Sequence, residues 1–105
     1  MSEEDVMVAW LVTLGAVVPC HLYFHARLRE ILRQSHPDVW KDLGSPTIFL
    51  NNSIANTWSV QRFIHSGKYR LLNDPELCGV ARKCRVTDVL GYGINLVGFV
   101  ALALL

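Results

Sequence analysis

Charged side chains are absent from two long stretches of this 105-residue sequence. No Asp, Glu, Lys or Arg occurs in residues 6–24, which number 19, or in residues 89–105, which number 17. At a rise of about 1.5 Å per residue, helices of these lengths would be about 28 Å and about 25 Å long. The hydrocarbon core of a bilayer is roughly 30 Å thick. The absence of charge therefore predicts two transmembrane helices.

A small soluble bundle with two apolar helices is the alternative explanation. A surface helix of a soluble protein needs a polar stripe. The stretch VMVAWLVTLGAVV has Thr13 as its only polar side chain, and the second run has only Asn95 and the hydroxyl of Tyr92. So few polar side chains favour membrane spans over the surface helices of a soluble protein. The acidic start, MSEED, also lacks the basic residues of a signal peptide, so we expect no cleavage.

Basic residues are confined to the middle of the chain, where all ten Lys and Arg occur. Lys and Arg close to a span tend to stay on the cytoplasmic side. We therefore predict a cytoplasmic middle and two outside termini. The predicted organisation is an acidic tail (1–5), a first span (6–24), a basic cytoplasmic helical segment (25–88) and a second span (89–105).

Sequence signals for enzymes and redox sites are scarce. The chain has three cysteines, and Cys78 and Cys84 are six positions apart instead of forming a C-x-x-C pair. Cytoplasmic thiols are normally reduced, so we expect no disulfide. The sequence shows no Gly-rich phosphate loop, and no nucleophile–base pair or pair of carboxylates at a useful spacing. We therefore expect neither an enzyme nor a cofactor.

Proline and capping residues divide the first part of the middle segment into helices. The helix of the first span should continue to about Ser35, because the residue before Pro37 disfavours helical geometry. Pro19 lies inside this helix and should kink it. Pro37 suits the start of a short second helix, and Gly44 suits its end.

The second part of the middle segment predicts two more helices. Asn52 or Ser53 can cap a helix that ends at Gly67. Asp74 and Pro75 suit the start of a long helix that enters the second span. Residues 48–50 have strand propensity but no evident partner strand, so we expect a loop there. The predicted fold class is all-α, a two-transmembrane-helix hairpin with a small helical cytoplasmic segment.

Three stretches of this sequence resemble universal stress protein B, a family of small two-span bacterial membrane proteins. They are RLREILRQSHPDVWKDLG, FIHSGKYRLLNDPEL and ARKCR, and the likeness in layout covers most of the chain. The resemblance implies an integral inner-membrane protein associated with the stress response, without a known reaction. It does not imply the nucleotide-binding fold of the soluble universal stress proteins.

Histidines at the inner end of the first span are the candidate metal ligands. His21 and His25 are four residues apart and share a helix face, a spacing that metal sites use. Cys20 is a neighbour of His21 and would point about 100° away from it on a helix. We therefore interpret these residues as membrane-boundary side chains. The alternative is a metal- or haem-binding membrane subunit, in which His36 or His65 adds a further ligand.

A collar of basic residues is predicted to surround the inner ends of both spans. Its role is to set the topology and to attract anionic lipid headgroups. The six members are Arg27, Arg29, Arg33, Arg82, Lys83 and Arg85. The net charge of the whole chain is only +1, so we expect no binding of nucleic acid.

Small and amide residues form one face of each span. Such residues favour close packing of membrane helices. We predict that the two faces meet, within one chain or between two copies. The faces consist of Gly91, Asn95 and Gly98 in the second span and of Ala9, Thr13 and Ala16 in the first. The predicted function is non-enzymatic binding of lipid or of a membrane protein partner, with a homo-oligomer as another possibility.

Overall fold

The computed structural model of the chain describes residues 2–46 and 53–104. Within these ranges the structure is helical and contains no strand, which confirms the all-α hairpin. The elements are α1 (Glu3–Ser35), α2 (Pro37–Asp42), α3 (Ile54–His65), a 3₁₀ helix (Lys68–Leu72) and α4 (Pro75–Leu104). The predicted loop at residues 48–50 lies outside the described residues.

The first helix begins at a capping box. The side chain of Ser2 accepts a hydrogen bond from the backbone N–H of Asp5, at 3.2 Å. The backbone N–H of Ser2 donates in return to the carboxylate of Asp5, at 3.3 Å. Two orphan N–H groups of the first turn are thereby satisfied. The helix continues through Pro19 and ends at Ser35, as the sequence predicts.

The later helices also begin where the sequence places their caps. Ser53 accepts a hydrogen bond from a backbone N–H in the first turn of α3. Gly67 follows α3 with φ of +80°, a left-handed conformation that glycine adopts without strain. Asp74 accepts from the backbone N–H of Leu77 at 3.2 Å, and Pro75 takes the first position of α4. The predicted starts of α3 and α4 are therefore confirmed.

The hydrophobic core lies at the inner end of the hairpin. There the second half of α1 and the first half of α4 pack with α3 and the 3₁₀ helix. We call this part of the molecule, together with α2, the headpiece. Its core is formed by Leu28, Ile31, Leu32, Val60, Phe63, Ile64, Tyr69, Leu77, Ala81 and Cys84.

The apolar parts of α1 and α4 are, by contrast, almost fully exposed. None of the most apolar 18-residue stretch of α1 is buried in the fold, and only 11% of that of α4 is. Val12 and Phe99, for example, are 68% and 72% exposed. The core helix of a soluble protein would bury such a stretch. Both helices are long and apolar enough to cross a membrane.

Candidate functional site

A buried carboxylate in α4, next to the headpiece, gathers three histidines. The side chain of Asp88 is fully buried. Its Oδ1 lies 2.9 Å from Nδ1 of His21 and 2.9 Å from Nε2 of His25. Its Oδ2 lies 2.9 Å from Nε2 of His65. We call these four residues the His–Asp cluster. It joins α1, α3 and α4 at a single carboxylate.

The helices place each member of the cluster by simple periodicity. His21 and His25 are one turn apart on the face of α1 that packs against α4, and their ring centroids are 4.2 Å apart. His65 is the last residue of α3. His25 is only 3% exposed, whereas the side chains of His21 and His65 are 34% and 39% exposed. The cluster is therefore buried at its centre and open to its surroundings on two sides.

A buried arginine determines which ring nitrogen of the central histidine accepts a hydrogen bond. Nη1 of Arg29 donates to the backbone carbonyl of His25 at 3.1 Å and lies 3.3 Å from Nδ1 of the His25 ring. A guanidinium only donates hydrogen bonds, so Nδ1 accepts and the ring proton belongs on Nε2. This assignment follows from the hydrogen-bond network. His25 then donates its Nε2–H to Asp88.

Three side chains at the end of the site that faces the headpiece have shifted pKa values. Burial by itself raises the pKa of Asp88, but hydrogen bonds from His25 and His65 and the nearby imidazoles lower it below its ordinary value. Burial lowers the pKa of Arg29, and the neighbouring Cys84 and Asp88 oppose that effect. Burial, assisted by the charge of Asp88, raises the pKa of Cys84 to about 12, so its thiol stays protonated.

The arrangement could hold a metal ion through three of the four cluster residues. One donor atom from each of His21, His25 and Asp88 lies within 4.8 Å of the other two. Cys20 is exposed and does not belong to this group. The interpretation of both histidines as membrane-boundary side chains is wrong for His25, because its ring is buried and forms a hydrogen bond with Asp88.

The two further histidines considered from the sequence have different surroundings. His65 contacts Asp88 and so reaches the cluster. His36 instead contacts Asp74 at 2.8 Å, where the short helix α2 begins beside α4. Only His65, of these two, lies where it can support the site.

Half of the predicted basic collar is already paired or buried. Arg27 forms an ion pair with Glu76, and Arg33 forms one with Glu30 at 2.6 Å. Arg29 is only 6% exposed, so its assignment as a headgroup-facing residue is wrong. It is buried because the turn of α1 that carries it faces α4 and the core.

The other half of the collar is on α4. Arg82 and Lys83 are exposed and form no ion pair with any residue that the structure describes. Lys83 lies 5.4 Å from the centre of the Phe24 ring. Arg85 is half-buried and donates to the hydroxyl of Tyr69 at 3.4 Å. Two free cationic groups therefore lie on α4, close to the start of the second span.

The two predicted small-residue faces border a common cavity in the hairpin but are not buried against each other there. Ala9, Thr13 and Ala16 are exposed, and the hydroxyl of Thr13 donates to the carbonyl of Ala9 at 2.6 Å. Asn95 is exposed as well, and its amide donates to the carbonyl of Gly91 at 3.0 Å. Both polar groups are thereby satisfied inside their own helices. Contact between these faces of two copies stays a prediction.

The glycines of the second face do lie towards α1. Gly98 is buried, and a Cβ built on it would lie 2.9 Å from Cδ1 of Trp10. The indole of Trp10 therefore packs on this glycine, and Ala9 and Thr13 border the same cavity. Gly91 lines a cavity of about 180 Å³ that also borders His21 and Asp88. This cavity extends from the cluster towards the second span.

Sequence reasoning missed Asp88, the residue at the centre of the site. A signal was present, because Asp88 is the last charged residue before the second span. In an antiparallel hairpin it must lie at about the same depth as the histidines that end the first span. Ionisable groups at such positions are functional candidates with a partner on the neighbouring helix.

The chain matches no protein-family model, no curated protein and no solved structure.

Proposed function

We propose that this chain is a small, non-enzymatic integral protein of the bacterial inner membrane. It acts by binding, either to lipids or to another membrane protein. The observation that carries the proposal is the exposure of the apolar stretches of α1 and α4, of which 0% and 11% are buried. Apolar surface of this extent needs a cover of lipid or of other helices.

The position of the headpiece supports a binding role on one side of the membrane. The buried core and the His–Asp cluster attach α3 to the inner ends of both spans. Arg82 and Lys83 are exposed next to the second span, where they can contact anionic headgroups. The proposed topology therefore has a cytoplasmic headpiece and both termini outside, as the excess of basic residues in the middle segment favours.

The buried thiol next to the cluster is not suited to act as a nucleophile. The thiolate is the reactive form of cysteine. Burial keeps Cys84 protonated, with its pKa raised to about 12. A role in the stress response is supported by the resemblance to universal stress protein B alone, and it is the least specific part of the proposal.

Membrane insertion is tested by alkaline extraction and photocrosslinking in cells. The chain should stay with the bilayer after an alkaline wash. A photoreactive amino acid at Val12 or Leu96, exposed in the two spans, should form adducts with lipid or with a membrane protein. The matched control is Asp38, exposed on α2, which should form no lipid adduct. Release of the chain by the wash, or equal lipid labelling from Asp38, would contradict the proposal.

A further inference from the structure

We propose that His21, His25 and Asp88 form a binding site for a divalent transition-metal ion, with His65 as a positioning residue. This inference does not rest on the proposed membrane function. It rests on the contacts of the His–Asp cluster, on the cavity beside it and on the chemistry of its donor atoms.

The donor atoms are already close to the separations that a metal requires. Zinc binds imidazole nitrogen and carboxylate oxygen at about 2.0–2.2 Å, which places two tetrahedral ligands about 3.3 Å apart. Oδ1 of Asp88 lies 2.9 Å from a ring nitrogen of both His21 and His25. All three donor atoms lie within 4.8 Å of one another. Small side-chain movements would thus open a three-ligand site.

His65 has the geometry of a group that orients a ligand. It contacts Oδ2 of Asp88 at 2.9 Å, whereas the other two histidines contact Oδ1. A metal ion could therefore take the place of the two histidine contacts at Oδ1 while Oδ2 keeps its hydrogen bond from His65. Carboxylate ligands commonly have such a partner. Because His65 belongs to α3, binding of a metal would be coupled to the packing of α3 against α4.

The ligand set selects a class of metal. Two imidazoles and one carboxylate suit zinc or ferrous iron, whereas calcium and magnesium prefer oxygen ligands alone. A site with three protein ligands keeps a position for a further ligand. The cavity of about 180 Å³ borders both His21 and Asp88 and has room for a water molecule at that position.

Arg29 opposes metal binding in a way that can be measured. A metal on Nε2 of His25 leaves the ring proton on Nδ1, and the guanidinium at 3.3 Å cannot accept it. Nη1 of Arg29 must then give up its hydrogen bond to Nδ1 and keep the one to the backbone carbonyl of His25. Arg29 therefore lowers the affinity of the site. Arg29→Gln removes the positive charge and supplies an amide oxygen as an acceptor.

The test uses the full chain in detergent, stripped of metal with a chelator and then titrated with zinc against a chromophoric competitor. We expect one zinc per chain. His21→Gln should weaken binding by about 100-fold or more, because even outer partners of a metal site contribute 10–100-fold. The matched control is His36→Gln, which removes another histidine paired with an aspartate and should leave the affinity unchanged.

Two further variants separate a metal site from a purely structural cluster. His65→Gln should weaken zinc binding by about 10–100-fold. Arg29→Gln should instead tighten it, because it removes a positive charge and supplies an acceptor for the Nδ1 proton. If the His–Asp cluster has only a structural role, no variant should increase the affinity for zinc. Circular dichroism establishes that each variant retains its helices. The proposal is overturned if the folded wild-type chain takes up neither zinc nor ferrous iron, or if His36→Gln loses as much affinity as His21→Gln.

Discussion

At the scale of single residues, Asp88 is a fully buried carboxylate whose burial needs compensation. An isolated buried carboxylate is strongly unfavourable unless it is paired and hydrogen-bonded. Asp88 meets this requirement with ring nitrogens from three histidines, which approach both of its oxygens. The cluster therefore links stability and chemistry at one position, and it explains why a charged residue is tolerated at the edge of an apolar span.

Packing between the spans depends on the close approach of Trp10 and Gly98. A Cβ on Gly98 would lie 2.9 Å from the indole, whereas a Cβ on Gly93 would have open space among the described residues. We expect Gly98→Ala to be less stable than Gly93→Ala by about 1–3 kcal/mol, the usual cost of overpacking. Unfolding of both variants in detergent measures this difference. Equal stability would show that the two helices do not pack at this glycine.

The sequence predicts which residues share a helix face, but not which residues meet across helices. The four-residue spacing of His21 and His25 identified them as a pair. Their partner Asp88 is 63 residues from His25, so no local period connects them. Local spacing likewise identified Gly98 as a packing residue, but its partner, Trp10, depends on the rotation of α1 against α4. Tertiary geometry alone decides such contacts.

At the scale of elements, local signals predict the helix boundaries well. Ser53, Gly67, Asp74 and Pro75 act within one turn of the chain, so their effect on helix starts and ends is visible in the sequence. The basic collar was less predictable. A positive charge near a span indicates topology, but it does not reveal that Arg29 is buried in the interface between two helices.

We expect the carboxylate of Asp74, at the start of α4, to make a pH-dependent contribution to stability. The hydrogen bond from His36, assisted by the backbone N–H of Leu77, lowers the pKa of Asp74 below its ordinary value of 3.8. A carboxylate whose folded-state pKa is lowered stabilises the fold above the ordinary value, and this stabilisation is lost as pH falls through the folded-state pKa. Asp74→Asn should therefore lower the free energy of unfolding at neutral pH by about 1 kcal/mol.

The difference between wild type and Asp74→Asn should shrink as the pH falls below 3.8, the ordinary pKa of this carboxyl group. Denaturant unfolding at neutral and acidic pH measures it. Asp42→Asn is the control, because Asp42 is exposed at the end of α2 and its loss should change stability by less than about 0.5 kcal/mol. A destabilisation by Asp74→Asn that is independent of pH would contradict the assignment.

Lipid recognition by α4 is expected to depend on its two free basic residues. Arg82→Gln with Lys83→Gln should weaken retention of an anionic lipid by about 1 kcal/mol per residue. The matched control is Arg27→Gln with Arg33→Gln, which changes net charge equally but removes cations already paired with glutamates. Native mass spectrometry with phosphatidylglycerol and phosphatidylcholine compares the two. Equal losses would indicate an effect of net charge without a defined headgroup site.

At the scale of the whole molecule, the hairpin has two halves with opposite surfaces. The headpiece buries its apolar side chains in a core, whereas the spans expose theirs. The His–Asp cluster lies at the junction of these halves. Composition could predict this division, because the charges are confined to the middle of the chain. It could not predict that the junction itself carries the principal polar site.

The proposed topology of the hairpin is tested by cysteine accessibility in intact cells. The three native cysteines are first replaced by alanine, and Ser2→Cys or Ser66→Cys is then introduced at a position that is exposed in the fold. We predict that an impermeant thiol reagent labels Ser2→Cys in intact cells and labels Ser66→Cys only after lysis. Ready labelling of Ser66→Cys in intact cells would contradict a cytoplasmic headpiece between two membrane spans.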